Sequence, residues 1–498
     1  MLNTESLILS PREAYIAEQQ WRIVKRSIDA RQRELRVHLT ILTDDNGKPV
    51  AKEAPIPLYE PTVFQDVHNA PRQAVIIGAG PAGLFAALTL MEHGIKPIIY
   101  ERGKEVSERK KDIALLNRNE GLNPESNYCF GEGGAGTFSD GKLFSRSKKR
   151  GNMQRVMELF HYFGAPDTVL YEAHAHIGSD KLPTIIKRMR ECILAHGGEI
   201  HFETKIESLS TFNFQLSTTP VILAIGHSAH DTYRMLAAEG VALETKGCAM
   251  GVRAEHPQPL INKLMYHLDI SKSRDLEVIN YVGNASYSLV TQVNGRGVYS
   301  FCMCPGGHIV PAGSTPDSCV VNGMSASHRN SPYANSGMVV QINPEDIPGS
   351  DPLRGLEYQE ALERLAFEHG GPEAQAPAQR LRDFVEGRES KSLPACSYLP
   401  GIIPSRLDQW LPAHIGARLQ QGFRDFDRKY PGFLTNDAVI VGVESRSSSA
   451  IRIPRDPDTL QSVSTPGLYP CGEGAGYAGG ITSSALDGIN AALKIAEN

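Results

Sequence analysis

The chain lacks three features that would place it in a simple class of protein: a disulfide framework, a basic excess and an uninterrupted apolar run. Its eight cysteines are scattered over 498 residues, whereas disulfide-stabilised secreted domains are dense in cysteine. Lys and Arg number 51 against 56 Asp and Glu, and this net charge of −5 disfavours a chain-wide nucleic-acid or membrane-surface role. The N-terminus has no basic segment before an apolar one, so we expect no secretory signal. These absences predict a cytoplasmic protein.

The longest apolar run, residues 74–91, has the length of a membrane span but contains three glycines and a proline. We interpret it as a strand, a turn and a helix. Glycine is abundant in the whole chain, at 46 of 498 residues or about 9%, against about 7% in average proteins. Glycine is needed where the backbone turns with positive φ or approaches a ligand closely. Three glycine-rich loops, at 78–83, 131–141 and 472–480, are predicted to converge on one cofactor.

The length corresponds to about three domains. Residues 1–70 are predicted to form a small α+β module of ferredoxin-like type, with strands at 7–9 and 35–42 and a helix at 11–20. Ser10 is the expected N-cap of that helix, with Glu13 at the capping-box position. The module also carries a basic stretch, for which a solvated face is favoured and a nucleic-acid or partner surface stays the alternative: Arg22, Lys25, Arg26, Arg31, Arg33 and Arg36.

The rest of the chain alternates between two patterns. Residues 71–250 alternate strands and helices, which is typical of a parallel sheet with helices on its faces. Residues 251–437 are predicted to be an inserted α+β domain with helices at 353–368 and 374–386. The α/β pattern is expected to resume over 438–498, with a strand at 438–443 and a last helix at 483–497.

The first glycine loop carries a dinucleotide-binding motif. Gly78, Gly80 and Gly83 form G-x-G-x-x-G between an apolar strand and a helix, and Glu101 ends the next strand, where it suits a ribose diol. The glycines permit a tight turn, close approach to a diphosphate and helix–strand packing, and the helix N-terminus favours the anion. The neighbouring residues expected at the cofactor are Ala79, Pro81, Ala82 and Arg102.

The other end of the chain favours FAD over NAD. There, a short strand is followed by Gly472 and Glu473, a glycine-rich turn, and a helix that begins near Gly480 and Ile481. The carboxylate suits ribityl hydroxyls, and the helix N-terminus suits the flavin edge on which negative charge develops during reduction.

These paired motifs resemble the glutathione-reductase-fold flavoproteins, whose FAD-binding domain is a split Rossmann-like domain. The resemblance implies that the backbone at Lys205 and Ile206 reads adenine and that Gly226 belongs to a second short glycine motif. The segments SIDAR (27–31), FGEGGAGTFSDGKL (130–143), GVRAEHPQ (251–258), CMCPGG (302–307) and ESRSSSAIRIPRD (444–456) are similar to a family of uncharacterised FAD-dependent dehydrogenases. That family implies the fold and the cofactor but no substrate.

The loop at 130–143 is predicted to contact the flavin through Gly133, Gly134, Gly136 and Thr137. Lys142 is a candidate cation for reduced flavin. The other catalytic candidates are Arg253 and His256 for proton transfer or polarisation, Arg446 (with Arg452 and the serines 447–449) for an anionic substrate, and Cys304. Cys302 and Cys304 are predicted to be a buried structural pair, with a redox dithiol as the alternative. No metal site is expected, because His308 alone supplies too few ligands.

The leading interpretation is an FAD-dependent oxidoreductase that passes hydride through flavin N5 to or from a small molecule bound between the FAD domain and the insertion. NAD(P)H is expected, if it is used, to bind only transiently. One alternative is an FAD-dependent RNA-modifying or RNA-binding protein anchored by the basic module. The other is a flavin monooxygenase, which the sequence at 472–477 disfavours.

Overall fold

A computed structural model describes residues 2–144, 151–210, 219–372 and 374–497. The N-terminal module contains one helix and a three-stranded antiparallel sheet of order β1-β3-β2, built from β1 (Asn3–Leu9), α1 (Pro11–Gln20), β2 (Ile23–Asp29) and β3 (Arg36–Thr43). The predicted capping box is present, since the Ser10 hydroxyl accepts from the Glu13 amide and the Glu13 carboxylate accepts from the Ser10 amide. The ferredoxin-like prediction is wrong. That fold continues with a second helix and a fourth strand, whereas the element that follows β3 here is β4 (Gln73–Ile77) of the next domain.

The first part of the FAD domain has the predicted strand–helix alternation. Its elements are β4 (Gln73–Ile77), α2 (Pro81–Glu92), β5 (Lys96–Tyr100), α3 (Val106–Asn117), α4 (Met153–Tyr162), α5 (Thr168–Tyr171), α6 (Leu182–Ala195), β6 (Glu199–His201), β7 (Val221–Leu223), α7 (His230–Ala238) and β8 (Glu244–Thr245). Nearly all of β4 and α2 is buried, as expected of a strand and helix at the centre of an α/β domain.

The insertion is built on one large sheet. Its elements are β9 (Cys248–Pro257), α8 (Gln258–Tyr266), α9 (Ser273–Val282), β10 (Val290–Val293), β11 (Arg296–Cys304), β12 (His308–Pro311), β13 (Val321–Met324), β14 (Tyr333–Ile342), α10 (Arg354–Glu368), β15 (Ala376–Arg380), α11 (Leu381–Glu386), β16 (Ile402–Pro404), α12 (Leu407–Trp410), α13 (Ala413–Lys429) and β17 (Val439–Glu444). The sheet order is β10-β11-β14-β9-β17-β15-β16, and only the β15–β16 pairing is parallel.

Two predictions for this region are wrong. The expected helix at 374–386 is a strand, β15, followed by the short helix α11, because pairing with β16 and β17 overrides the helix propensity of its alanines. The strand at 438–443 does not resume the FAD domain, since β17 pairs antiparallel with β9 and β15. A fully buried apolar strand has the same pattern in either sheet, so its sequence does not reveal its partner.

The chain then returns to the FAD domain with β18 (Ile451–Arg452), β19 (Leu468–Pro470) and α14 (Ile481–Glu497). The central sheet is parallel throughout, in the order β19-β7-β4-β5-β6. Helices α2 and α14 pack so closely that a Cβ at Gly488 would overlap the Ala82 carbonyl. This contact holds the N-termini of both helices at the same edge of the sheet.

The insertion also completes the N-terminal module. Val282 of α9 lies in the core of the module, and the Tyr281 hydroxyl donates to Glu18 of α1 at 2.6 Å. Within the residues that the structure describes, no helix combines the length and the apolar character needed to cross a membrane.

Candidate functional site

The turn between β4 and α2 gives each motif glycine a different role. Gly78 has φ +105°, and a Cβ there would overlap the Ala224 carbonyl of the neighbouring strand. A Cβ at Gly83 would overlap the Gly78 carbonyl, so this glycine allows α2 to pack against the turn. Gly80, in contrast, has φ −76° and only Gly134 near it, at 3.8 Å from an added Cβ. Gly80 is therefore the position whose backbone stays open to a ligand.

Glu101 connects the first two glycine loops. Its buried carboxylate accepts hydrogen bonds from the amides of Ala79, Gly103 and Gly131, at 2.8, 2.9 and 3.0 Å. The sequence predicted Glu101 as a ribose partner, and the side chain does line the cavity described below. Its bonds to the loop backbone were not predicted, because the sequence does not show that the turns at Ala79 and Gly131 fold against this carboxylate.

The three glycine-rich loops meet in space, as predicted. An added Cβ at Gly134 would lie 3.1 Å from the Gly80 Cα, and one at Gly136 would lie 2.9 Å from the Ile481 side chain. A Cβ at Gly472 would lie 3.0 Å from the Ala82 Cβ. We call the surface formed by 78–82, 131–136 and 472–481 the glycine wall.

A cavity runs along the glycine wall, and most of the predicted cofactor residues line it: Gly78, Gly80, Pro81, Ala82, Glu101, Arg102, Gly134, Gly136, Lys205, Ile206, Gly226, Gly472, Glu473, Gly480 and Ile481. The other predicted residues lie behind it: Ala79, Gly83, Gly133 and Thr137. These four support the loops instead. For example, the Thr137 hydroxyl donates to the Glu132 carbonyl at 3.0 Å.

The opposite side of the cavity comes from the insertion and the segment after β17. We call it the insert wall; it consists of Phe301, Cys302, Asn322, Arg446 and Ser447. Arg446 was predicted, whereas Phe301 and Asn322 were missed, because nothing in their local sequence distinguishes them from core strand residues.

Arg446 is neutralised by a buried partner. Its guanidinium lies 2.7 Å from the Glu363 carboxylate and donates to the Ser314 hydroxyl at 2.9 Å. Burial alone would raise the pKa of Glu363, but Arg446 outweighs it and holds that pKa below its ordinary value. Arg452, the expected second guanidinium, lies outside the cavity and pairs with Glu244 at 2.9 Å. The predicted pair of arginines for an anionic substrate is therefore not formed.

Arg253 and His256 lie in the core of the insertion, not on the cavity. Arg253 forms a buried ion pair with Glu444 at 2.8 Å. The His256 Nε2 donates to the Phe433 carbonyl at 2.9 Å, and burial lowers the pKa of this histidine to about 4. The prediction that these residues polarise a substrate or shuttle a proton is wrong, since neither reaches the cavity.

Lys142 and Cys304 do not line the cavity either; Cys304 is fully buried, whereas about a third of the Lys142 side chain is exposed. The Lys142 Nζ is 3.2 Å from Asp140 and lies 3.9 and 3.7 Å from the sulfurs of Cys302 and Cys304. Lys142 thus lies beside the two cysteines. Because it does not line the cavity, its position does not support the predicted role as a cation at the flavin edge. Within the described ranges, no group of three or more His, Cys, Asp and Glu side chains is placed to hold a metal ion.

Three of the six residues of the basic stretch in the N-terminal module form ion pairs within the module or with a neighbouring segment. Arg26 is buried between Glu18 and Glu172, at 2.7 and 2.6 Å. Arg31 and Arg36 pair with acidic residues two positions away in sequence. This pairing removes much of the positive surface that nucleic-acid binding would need and favours the solvated-face interpretation.

The cavity has the properties that FAD requires. An added Cβ would meet no heavy atom within 4 Å at Gly226, Gly479 or Gly480, so the backbone is open to a ligand there. The Ser228 hydroxyl is buried on the cavity and has no hydrogen-bond partner. The first turns of α2 and α14 reach the cavity, and the amides of a first turn have no partners within their own helix. The donor set therefore fits a diphosphate and a polyhydroxyl chain.

Two family models match parts of the chain. Residues 72–211 match the model of an FAD binding domain, and residues 247–447 match that of an FAD-dependent protein, C-terminal domain-like. The second match spans β9 to β17, as the sheet of the insertion does. A Clostridium beijerinckii protein described as uncharacterized is 41% identical over 500 residues, covering 95% of this chain and 92% of the relative.

Several solved structures align at low identity. An oxidoreductase from Methanosarcina mazei is 12% identical, covering 86% of this chain and 100% of the other, with a TM-score of 0.33. CtdE in complex with FAD is 10% identical, covering 86% and 84%, with a TM-score of 0.29. FqzB is 14% identical, covering 88% and 80%, with a TM-score of 0.34.

Proposed function

Since the chain belongs to the same family as the Clostridium beijerinckii protein and is an FAD-dependent oxidoreductase, we propose that it is a dehydrogenase or reductase of the glutathione-reductase-fold type. Its substrate is a small molecule bound between the two walls of the cavity. The observation that carries this proposal is that one continuous cavity has the glycine wall on one side and the insert wall on the other.

The glycine wall would hold FAD along its length. The amides of the first turn of α2 face the diphosphate, while Glu101 and the backbone at 205–206 lie at the adenosine end. Glu473 and the N-terminus of α14 serve the ribityl chain and the flavin ring, where the positive end of the helix favours the anion of the reduced form. When bound, FAD accepts or donates a hydride at ring N5.

The insert wall defines the kind of substrate. Phe301 makes this wall partly aromatic. The Asn322 side-chain oxygen already accepts from Arg253 and from the next backbone amide, which leaves its amide protons for a ligand. The Ser447 hydroxyl donates to the Ala249 carbonyl, which leaves it as an acceptor. Because Glu363 neutralises Arg446, the wall has no free guanidinium for a carboxylate or a phosphate. A neutral, partly apolar molecule with one or two polar groups suits this surface best.

The test is anaerobic reduction and reoxidation of the FAD-reconstituted protein with NADH, NADPH and a metabolite panel, followed by flavin absorbance. We expect at least one compound to change the flavin redox state, and Phe301→Ala to slow that reaction about tenfold or more at unchanged FAD content. A protein that retains no FAD, or whose flavin reacts with no donor or acceptor, would contradict the proposal. A product that gains an oxygen atom under air would favour a monooxygenase instead.

A further inference from the structure

Cys302 and Cys304 lie at an irregular end of β11. The register with β14 shifts between Phe301 and Cys304, and Cys302 has φ +45°, which is uncommon for a residue other than glycine. This bend places Cys302 on the cavity, while Cys304 is fully buried behind it. Both sulfurs still contact the same ammonium group, the Nζ of Lys142, at 3.9 and 3.7 Å.

Two cations flank the pair. Besides Lys142, the Arg253 guanidinium donates to the Cys302 carbonyl at 2.7 Å and lies 3.6 Å from the Cys304 sulfur. The acidic groups nearby are Asp140, which pairs with both Lys142 and Arg329, and Glu444, which pairs with Arg253, so two carboxylates face three cations. The positive charge at the sulfurs is therefore only partly cancelled.

The surroundings divide the two thiols into different roles. A hydrogen bond from Cys304, together with Lys142 and Arg253, lowers the pKa of Cys302 well below its ordinary value against the effect of burial. The same hydrogen bond and burial raise the pKa of Cys304. The Cys304 thiol also donates to the Cys302 carbonyl at 3.3 Å, and of the two cysteines it is Cys302 that lines the cavity. The arrangement therefore favours the thiolate, which is the reactive form, on Cys302 and the proton on Cys304.

Other cysteines of the chain show what a merely structural thiol looks like. Burial raises the pKa of Cys192 to about 11 and that of Cys319 to about 12. A structural pair at 302 and 304 would need neither two cations nor a position on the cavity. The structural-pair interpretation made from the C-x-C spacing therefore does not account for this arrangement.

We propose that Cys302 and Cys304 form a redox-active dithiol on the insert wall and that Cys302 is the sulfur that exchanges electrons with FAD. This inference rests on the proposed function of the cavity. In the oxidative direction, the Cys302 thiolate and the Cys304 thiol lose two electrons and one proton as one S–S bond forms, and those electrons and that proton pass to FAD. In the reductive direction, the same electrons and proton return from reduced FAD and break the S–S bond. Lys142 is the positioning residue that holds the charge of the thiolate.

The first test is an anaerobic titration of the oxidised FAD-loaded protein with sodium dithionite. The wild type is expected to take up four electrons per flavin, and Cys302→Ser two, since one two-electron couple is lost. Cys129→Ser is the matched control, because Cys129 also lines the cavity but does not contact Lys142 in the described structure, and it should still take up four. A wild type that binds FAD and takes up only two electrons would overturn the dithiol, whereas a protein without FAD would overturn the proposed function.

The second test needs neither flavin nor a folded cysteine variant. Reduced wild-type protein is labelled with iodoacetamide at pH 7, and peptide mass spectrometry follows each cysteine. Cys302 should react at least about tenfold faster than Cys129, and Lys142→Met should remove most of that difference while Lys142→Arg retains it. A mild oxidant should yield a peptide with Cys302 linked to Cys304. Equal labelling of Cys302 and Cys129, or oxidation without that linked peptide, would contradict the proposal.

Discussion

The two walls of the cavity are built from different parts of the polypeptide. The glycine wall presents backbone: three loops that pack against one another at their glycines, with amides and open Cα positions on the cavity. The insert wall presents side chains from β11, β13 and the segment after β17, and its charged groups are neutralised from behind. A backbone surface suits the parts of a cofactor that are common to a whole family of enzymes. A side-chain surface can change from one family member to another, so under the proposed function it is the wall that would determine the reaction.

Of the changes considered for the two walls, breaking the buried Arg446–Glu363 ion pair behind the insert wall should lower the free energy of unfolding most. Glu363→Gln keeps the size of the side chain but leaves the Arg446 charge without a partner. We expect a loss of about 3–5 kcal/mol in the free energy of unfolding, measured by denaturant titration. Adding Arg446→Met to Glu363→Leu should recover most of that loss, since no charge is then left buried.

The matched control is an exposed pair on the same helix, Arg364 with Asp317 at 3.7 Å. Asp317→Asn should change stability by less than about 1 kcal/mol, because water screens an exposed pair. A small effect of Glu363→Gln, close to that of the control, would show that Arg446 is not committed to Glu363 and is free for an anionic substrate.

Gly83→Ala tests the helix–turn packing that supports the glycine wall from behind. The added Cβ would overlap the Gly78 carbonyl, which is backbone and cannot rotate away. We expect a loss of about 3 kcal/mol in the free energy of unfolding by thermal or denaturant unfolding. Gly80→Ala is the control, because its added Cβ meets only Gly134, at 3.8 Å, and it should leave the stability of the flavin-free protein nearly unchanged. Equal stability of both variants would refute the separate roles assigned to these glycines.

The stability of the insertion should depend on pH because of the buried His256. The folded pKa of about 4 lies below the unfolded value of about 6.5, so the folded state binds fewer protons. The stability that comes from keeping His256 neutral is fully present above pH 6.5 and is lost as the pH falls toward 4, because the unfolded chain then binds a proton that the folded protein excludes. Compared with His256→Gln, the wild type should lose about 2–3 kcal/mol more stability over that interval. Parallel stability profiles of the two proteins would contradict the buried neutral histidine.

The glycine wall could be predicted from the sequence, because a glycine-rich loop is a local signal of backbone that turns sharply or approaches a ligand closely. The spacing of Gly78, Gly80 and Gly83 and the presence of Gly134, Gly136 and Gly472 therefore indicated both the loops and their meeting. The insert wall could not be predicted in this way. Phe301 and Asn322 are ordinary strand residues, and only the pairing of β11 with β14 and of β13 with β12 brings them to the cavity.

The same limit explains the errors in the fold. Periodicity located the strand at 438–443 correctly but not its sheet, because partners in a sheet are chosen by residues far away in sequence. Arg253 and His256 were considered catalytic from their residue types alone. Their burial became evident only when β9 was placed between β14 and β17. For a polar or charged residue in a strand, a catalytic role can therefore be assigned only once the order of the strands in the sheet is known.

The claim that FAD lies against the glycine wall is tested most directly by the FAD affinity of Gly80→Ala, measured by flavin fluorescence with flavin-free protein. The variant keeps an allowed backbone, since φ is −76°, but its methyl group faces the ligand. We predict that Kd for FAD rises about tenfold or more, a loss of at least about 1.4 kcal/mol, while the unfolding temperature of the flavin-free protein stays the same. An unchanged Kd at that unchanged stability would contradict the account.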